Sequence, residues 1–298
     1  MRNGYRIVVC SPVGRKQNLS VLFPIIESMK GWVDEYRIWM NCRDPTDMVY
    51  CLEFAKKHPG WVTIVHGEKP YTFDMINFIS FYADCHDDNT IYIKIDDDIC
   101  YIRNIEGLID DTIAHPERLF IFPYIVNNFW CQILKGQDFL IPDTDKDFAA
   151  RWKADMDKEK YKIKTLARDM FIPKALKLDF FPKTMWGNGN YTVALHDHFL
   201  NTINDTGRWS FSEFTPIDDL IAVSINMVAW KGSNWKKYNV QITTEEDETY
   251  FTVRLPYELG VFNGFAANTT AAHYSFYPQK AILDQTDILE RYSKLKQT

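Results

Sequence analysis

Three aspartates in a row, Asp96, Asp97 and Asp98, sit inside the run IYIKIDDDICYI, residues 91 to 102. Ile91, Ile93 and Ile95 alternate with Tyr92 and Lys94, the period of a strand with one apolar face. Adjacent carboxylates repel one another and resist desolvation. A divalent cation removes both penalties, and hard carboxylate oxygens suit Mg2+ or Mn2+. In extended backbone Asp96 and Asp98 point the same way and Asp97 the other. The plain alternative is an exposed acidic turn, but such a turn seldom interrupts a buried strand between two apolar runs. Carboxylates at strand ends also serve magnesium-dependent hydrolases and phosphatases, so the triplet implies a metal and not yet a reaction.

Other residues could complete such a site. Arg15 follows a Gly-containing turn and could pair with a diphosphate or touch a base; Lys16 competes for that role. Asn41 and Asp44 flank the end of a second strand. Asp44 suits a helix cap, with Pro45 at the first helical position, and a base or ribose contact is the sharper alternative. Lys94 lies opposite the apolar face and could neutralise nearby acids. His273 alone would be a hydrogen-bonded structural histidine, but beside a carboxylate site its imidazole becomes a credible ligand. His196 and His198 are two apart on a helical pattern and do not share a face, so they make a poor metal pair. Glu213, Asp218 and Asp219 precede a long apolar run and are candidates for a general base. Asp218 fits a cap position, which leaves Asp219 as first choice and Glu213 in reserve. The stretch Trp186–Gly189 could shape an acceptor pocket or be an ordinary loop, and Trp209 and Phe211 could stack on a sugar ring or fill the core.

The elements that position these residues are legible as periodic segments. Strands are predicted at Tyr5–Cys10, Tyr36–Asn41, Trp61–Val65, Thr90–Ile95 and Leu119–Tyr124. Helices are predicted at Asn18–Met29, Asp44–Lys57, Phe73–Cys85 and Ile105–Ala114. SPVGR reads as the turn after the first strand. This βαβα order implies a mainly parallel sheet with helices on both faces, where ligands bind beyond the carboxyl ends of the strands. Further on, Asp145–Asp169 reads as a charged helix, TVALHDHFLNTI as helical, and Asp218–Trp230 as a half-buried helix or strand. Asn239–Thr244 with Thr249–Leu255 reads as an antiparallel pair, and Pro278–Leu295 as a closing helix.

Composition sets the bounds. The 298 residues are 46% hydrophobic, enough for one large α/β unit or one with an elaborated lobe. A net charge of -6 argues against a nucleic-acid binder. Aromatics at 15% fit either a full core or a sugar-binding surface. The six cysteines form no close CxxC pair and read as free buried thiols in a reducing compartment. With no signal-like run at the start and no apolar stretch of membrane-spanning length, the expectation is a cytoplasmic protein.

A DxD-type triplet closing the fourth strand of this element order resembles a metal-dependent glycosyltransferase of the GT-A fold. The resemblance covers residues 5 to 125 and extends more loosely to His273. It implies a single α/β unit with a Rossmann-like, mostly parallel mixed sheet. Residues 1–125 would form the nucleotide-sugar-binding half and 126–298 the acceptor-binding and catalytic half. It places Asp96 near the donor ribose, makes Asp96, Asp98 and His273 the metal set, and assigns Ser11, Arg15, Asn41, Asp44 and Asp97 to the donor side. CSPVGRK, residues 10 to 16, is similar to the family's nucleotide-binding start. The implied partners are Mn2+ or Mg2+, a UDP-sugar giving up a hexose or pentose, and a glycan or glycoprotein acceptor. Inversion is favoured, with Asp219 as the base. The whole chain is also similar to the compact, anchor-free glycosyltransferases of large algal viruses (chloroviruses), which would put it in the host cytoplasm. Two other classes compete: a magnesium-dependent nucleotidyltransferase, which would favour a stronger Gly-rich basic loop than SPVGRK, and a non-catalytic carbohydrate-binding protein, which would not need the strand-end acids.

Overall fold

The first strand, β1 (Arg6–Val13), is the apolar run RIVVCSPV, buried at every residue but the first. It extends three residues beyond the expected end, so the predicted turn SPVGR is strand through Val13. Beyond Cys10 only β2 accompanies β1, because pairing with β4 stops there. On such an open side the missing N–H of Pro12 breaks no ladder. The computed structural model describes residues 1–67, 80–135, 187–218, 220–221, 223–240 and 247–295.

Along the chain follow α1 (Lys16–Ser28), β2 (Glu35–Met40), α2 (Pro45–Lys57), β3 (Val62–His66), β4 (Thr90–Ile95), β5 (Ile99–Arg103), α3 (Ile105–Ala114), β6 (Ile121–Val126) and α4 (Phe129–Leu134). The second half supplies α5 (Gly189–Asn201), β7 (Thr215–Ile217), β8 (Met227–Lys231), α6 (Ser233–Lys237), α7 (Asp247–Thr249), a π-helical turn (Tyr250–Arg254), α8 (Leu255–Leu259), β9 (Asn263–His273), α9 (Lys280–Leu283) and α10 (Ile288–Ser293). Among the described residues one sheet runs β3-β2-β1-β4-β8-β6-β9-β5, with β7 added on β9. The first four strands are parallel, β8 and β5 are antiparallel to their neighbours, and β6 and β9 are parallel. The result is the α/β class expected from the sequence, a mixed sheet with most paired residues in parallel ladders. β8, from the second half, lies between β4 and β6, so the sheet is continuous across both halves.

The link between β4 and β5 dictates the sheet's shape. Along the strand order they are four steps apart, roughly 19 Å in a flat sheet at about 4.8 Å per step. Ile95 to Ile99 spans at most about 14 Å. The sheet must therefore curl, and the three aspartates bridge its two limbs. Register shifts in the β6–β9 and β5–β9 ladders, and Asn268 of β9 at φ 53, supply the bend.

Several expectations are corrected. Residues 249 to 255 are helical, not strand: Tyr250, Phe251, Val253 and Leu255 are all buried, and Phe251 packs on Tyr82, Phe120 and Trp235. Their proposed partner strand falls largely outside the described residues, as do most of Phe73–Cys85, all of Asp145–Asp169, and Trp186. Asp218–Trp230 is strand only from Met227. The closing helix is two short ones, interrupted between Leu283 and Ile288. Trp209 and Phe211 are core residues, packed on Phe199 and Phe265. All six cysteines are free and buried. No described helix is long and apolar enough to cross a membrane.

His196, on α5, is fully buried and ties the chain after β9 in place. Its Nε2 lies 2.9 Å from the Tyr274 carbonyl, which only a donor satisfies, and its Nδ1 accepts from the Tyr292 hydroxyl at 2.8 Å. Burial pushes the imidazole down to about 4. An unfolded histidine titrates near 6.5, so between those values the unfolded chain takes a proton that the native one refuses. Stability should hold above pH 6.5 and fall by about 3 kcal/mol on acidification to pH 4. Urea denaturation across that range should show the slope, and His196→Gln should flatten it; an unchanged slope in the variant refutes the assignment.

Candidate active site at the carboxyl ends of the parallel strands

β1, β2 and β4 all end at one cavity of about 550 Å3. Val13 at the end of β1 and Gly14 and Arg15 beyond it line the cavity, with Asn41 and Arg43 after β2 and Asp96 to Asp98 after β4. Asn226, just before β8, and His273, Ser275, Phe276, Tyr277 and Lys280 at and beyond the end of β9 close the other side.

The acidic triplet is a turn, closed by Ile99 N–H donating to Asp96 C=O at 3.1 Å. Because β4 stops at Ile95, strand alternation does not continue through the aspartates. Asp97 and Asp98 therefore share a partner, and Asp96 faces a different one. Lys94 Nζ lies 2.7 Å from Asp96 Oδ1 and donates to Ile225 C=O at 3.0 Å. Asn226 Nδ2 donates to Asp96 Oδ2 at 3.3 Å. Burial pushes the Asp96 carboxyl up to about 6, against the pull of Lys94. Lys94 counters Asp96 alone of the three acids, from a buried position, 1% exposed.

Arg15 occupies the N-cap of α1 with extended backbone and makes no capping bond. Its guanidinium reaches across instead. Nε donates to both Asp97 oxygens at 3.1 and 3.2 Å, and Nη2 bonds to Asp97 Oδ1 and, at 2.8 Å, to Asp98 Oδ2. Gly14 N–H adds a bond to Asp97 Oδ2 at 3.1 Å. Burial raises Asp97 above the usual carboxylate range despite Arg15. For Asp98 burial acts in the same direction, but His273 and Arg15 outweigh it and hold the group well below that range.

His273 ends β9, paired directly with Ile99 of β5. This rung places His273 Nε2 3.5 Å from Asp98 Oδ1. Its Nδ1 is buried without a hydrogen-bond partner. Among the described residues no group of three or more His, Cys, Asp or Glu side chains is gathered in a ligating arrangement. The donor chemistry of Asp98 and His273 nevertheless fits a hard or borderline divalent ion that completes its shell with substrate oxygens.

The remaining sequence candidates divide. Asn41 lines the cavity, with Oδ1 buried and without a bonded partner. Asp44 does not; it caps α2, accepting from Thr46 N–H at 2.7 Å. Ser11 is fully buried within β1 and misses the lining, because the strand runs past it. Asp218 is exposed and 2.5 Å from Arg118, Glu213 is exposed, and neither lines the cavity. Asp219, the first choice for a base, falls outside the described residues. Sequence reasoning missed Arg43, Asn226, Ser275, Tyr277 and Lys280. Arg43 was within reach of the strand-end rule that singled out Asn41. Asn226 needed the antiparallel insertion of β8 beside β4, which no local pattern announces.

No protein-family model and no curated protein matches the chain. Among solved structures it is similar to the crystal structure of 4-diphosphocytidyl-2C-methyl-D-erythritol synthase from Anaerococcus prevotii. The identity is 12%, the match covers 98% of this chain and 96% of that one, and the TM-score is 0.43. The strand order and the curled mixed sheet make the described residues a single α/β unit with a mixed, mostly parallel sheet flanked by helices.

Proposed function

We propose that this protein is a divalent-cation-dependent glycosyltransferase that moves a hexose or pentose from a UDP-sugar to a glycan hydroxyl. The observation that carries the reading is the meeting of His273 with Asp98 in a cavity at the strand carboxyl ends. A purely structural acidic turn gives no reason for a buried histidine from the far end of the chain to face it. Asp98 and His273 would hold the cation, with Asp96 on the ribose side. The ion would supply Lewis acidity to a diphosphate leaving group. Arg15 and Lys280 add fixed positive charge around the same cavity, and Asn41 offers a polar contact for base or ribose. Asp219 is our candidate for deprotonating the acceptor in an inverting reaction.

Nucleotidyl transfer is the second reading. It is supported by Gly14 and Arg15 before α1 and by Arg43 and Lys280, which line the same cavity and offer positive charge to a triphosphate. One experiment separates the two. A panel of UDP-sugars with Mn2+ and mixed glycan acceptors should release UDP, and excess EDTA should stop it. Pyrophosphate released from nucleoside triphosphate and a sugar phosphate, with no UDP release, would establish nucleotidyl transfer instead. Ligand binding without turnover of either kind would leave a carbohydrate-binding protein. Retention of the anomeric configuration in the product, read by NMR, would remove the inverting assignment.

A further inference from the structure

Arg15 is engaged in a way that bears on how the site loads. Its Nη2 takes Asp98 Oδ2 at 2.8 Å, while Asp98 Oδ1 faces His273 Nε2 at 3.5 Å. Both oxygens of the proposed metal carboxylate are thus already occupied by cationic or polar partners. Asp97 is the second anchor: Nε and Nη2 of Arg15 both bond to it, and its side chain is only 7% exposed. Arg15 itself remains 42% exposed and lines the cavity. A divalent ion arriving alone would have to evict a guanidinium from Asp98 and leave two like charges side by side. It would also find few protein donors next to one another, Asp98 and His273.

A nucleoside diphosphate removes both obstacles. Its oxygens would complete the ion's shell, and its phosphates would offer the planar guanidinium a bidentate, charge-assisted partner. Arg15 stands at the N-cap position of α1 without a capping bond, so its guanidinium is not tied to the helix. We propose that Arg15 is a stand-in cation, which neutralises Asp98 before ligand enters and passes to the diphosphate when a divalent ion takes Asp98, so that ion and nucleoside diphosphate bind as one ligand. The Asp97 contacts at Nε hold the base of the guanidinium and act as the pivot. The inference rests on the metal site of the proposed function and adds the residue that occupies Asp98 before the ion does.

Calorimetry on the full chain tests this without turnover. The probes are MnCl2 alone, UDP alone, and MnCl2 in saturating UDP. In the wild type, UDP should tighten Mn2+ binding by about 10-fold or more, the usual size of a coupling between sites. Equal Mn2+ affinity with and without UDP overturns the proposal whatever the variants do. Arg15→Gln should bind Mn2+ alone about 10-fold more tightly than the wild type, and the coupling should fall by about the same factor, leaving the part that comes from phosphate oxygens on the ion. Arg15→Lys, which keeps a charge but not the fork, should retain part of it. A folded Arg15→Gln protein, checked by near-ultraviolet circular dichroism, with wild-type Mn2+ affinity and intact coupling also overturns it. Failure of the wild type to bind Mn2+ even with UDP would remove the metal site itself, a different outcome from a bound ion with no coupling.

Discussion

Replacing Asp98 by Asn should reduce kcat/KM for the donor by at least about 10²–10³-fold, roughly 3–4 kcal/mol of transition-state stabilisation. The reasoning follows from position. Asp98 is the triplet member that touches both His273 and Arg15. Its charge is what would hold a divalent ion in the proposed site, where the ion would supply Lewis acidity to the leaving diphosphate. Asparagine keeps the shape and one acceptor oxygen but not the charge. Because Asp98 and His273 would act through one ion, adding His273→Ala to Asp98→Asn should cost little more than either change alone. Steady-state kinetics on the two single variants and the double variant check this. Fully additive losses would mean that the two residues serve separate purposes.

Lys94→Met should destabilise the fold by about 3–5 kcal/mol, the cost of breaking a buried ion pair by removing one partner. Lys94 is 1% exposed, in the central strand β4, and meets Asp96 and the carbonyl of Ile225. It also attracts Asp247, another buried carboxylate, which bonds to the Tyr82 hydroxyl at 3.3 Å. Methionine would fill the space of the stem and leave Asp96 without its counter-charge. Urea denaturation should therefore show Lys94→Met far less stable than the wild type. Lys94→Met combined with Asp96→Asn should recover a large part of the loss, since the uncompensated charge is gone. No recovery in the double variant would place the value of Lys94 in its other contacts.

Much of the architecture of the first half was written locally. Thr90–Ile95 and Ile105–Ala114 form as their periodicity requires, and Asp44 with Pro45 starts α2 as their residue types require. The site was legible where chemistry and strand ends coincide: Asp96, Asp98, Arg15 and Asn41 all reach the one cavity. What stayed hidden depends on long-range pairing. The run YFTVRL alternates as a strand would, but the aromatic cluster of Tyr82, Phe120 and Trp235 buries it as helix. Acids such as Glu213 and Asp218 look catalytic beside an apolar run, yet nothing in their neighbourhood in sequence says which way the loop turns. Arg15 reads from sequence as a contact for diphosphate or base, because its reach to Asp97 and Asp98 is set by the packing of β1 beside β4 and not by spacing.

The rung that joins Ile99 to His273 also gives the site a schedule. Asp98 is synthesised well before His273, and at 5–20 residues per second the interval is on the order of 10 to 35 s. Throughout that time the nascent chain carries its acids without the histidine that completes them. The contact between Asp98 and His273 can form only once β9 has been made, so a chain released before that point lacks the pair on which the proposed cation site rests.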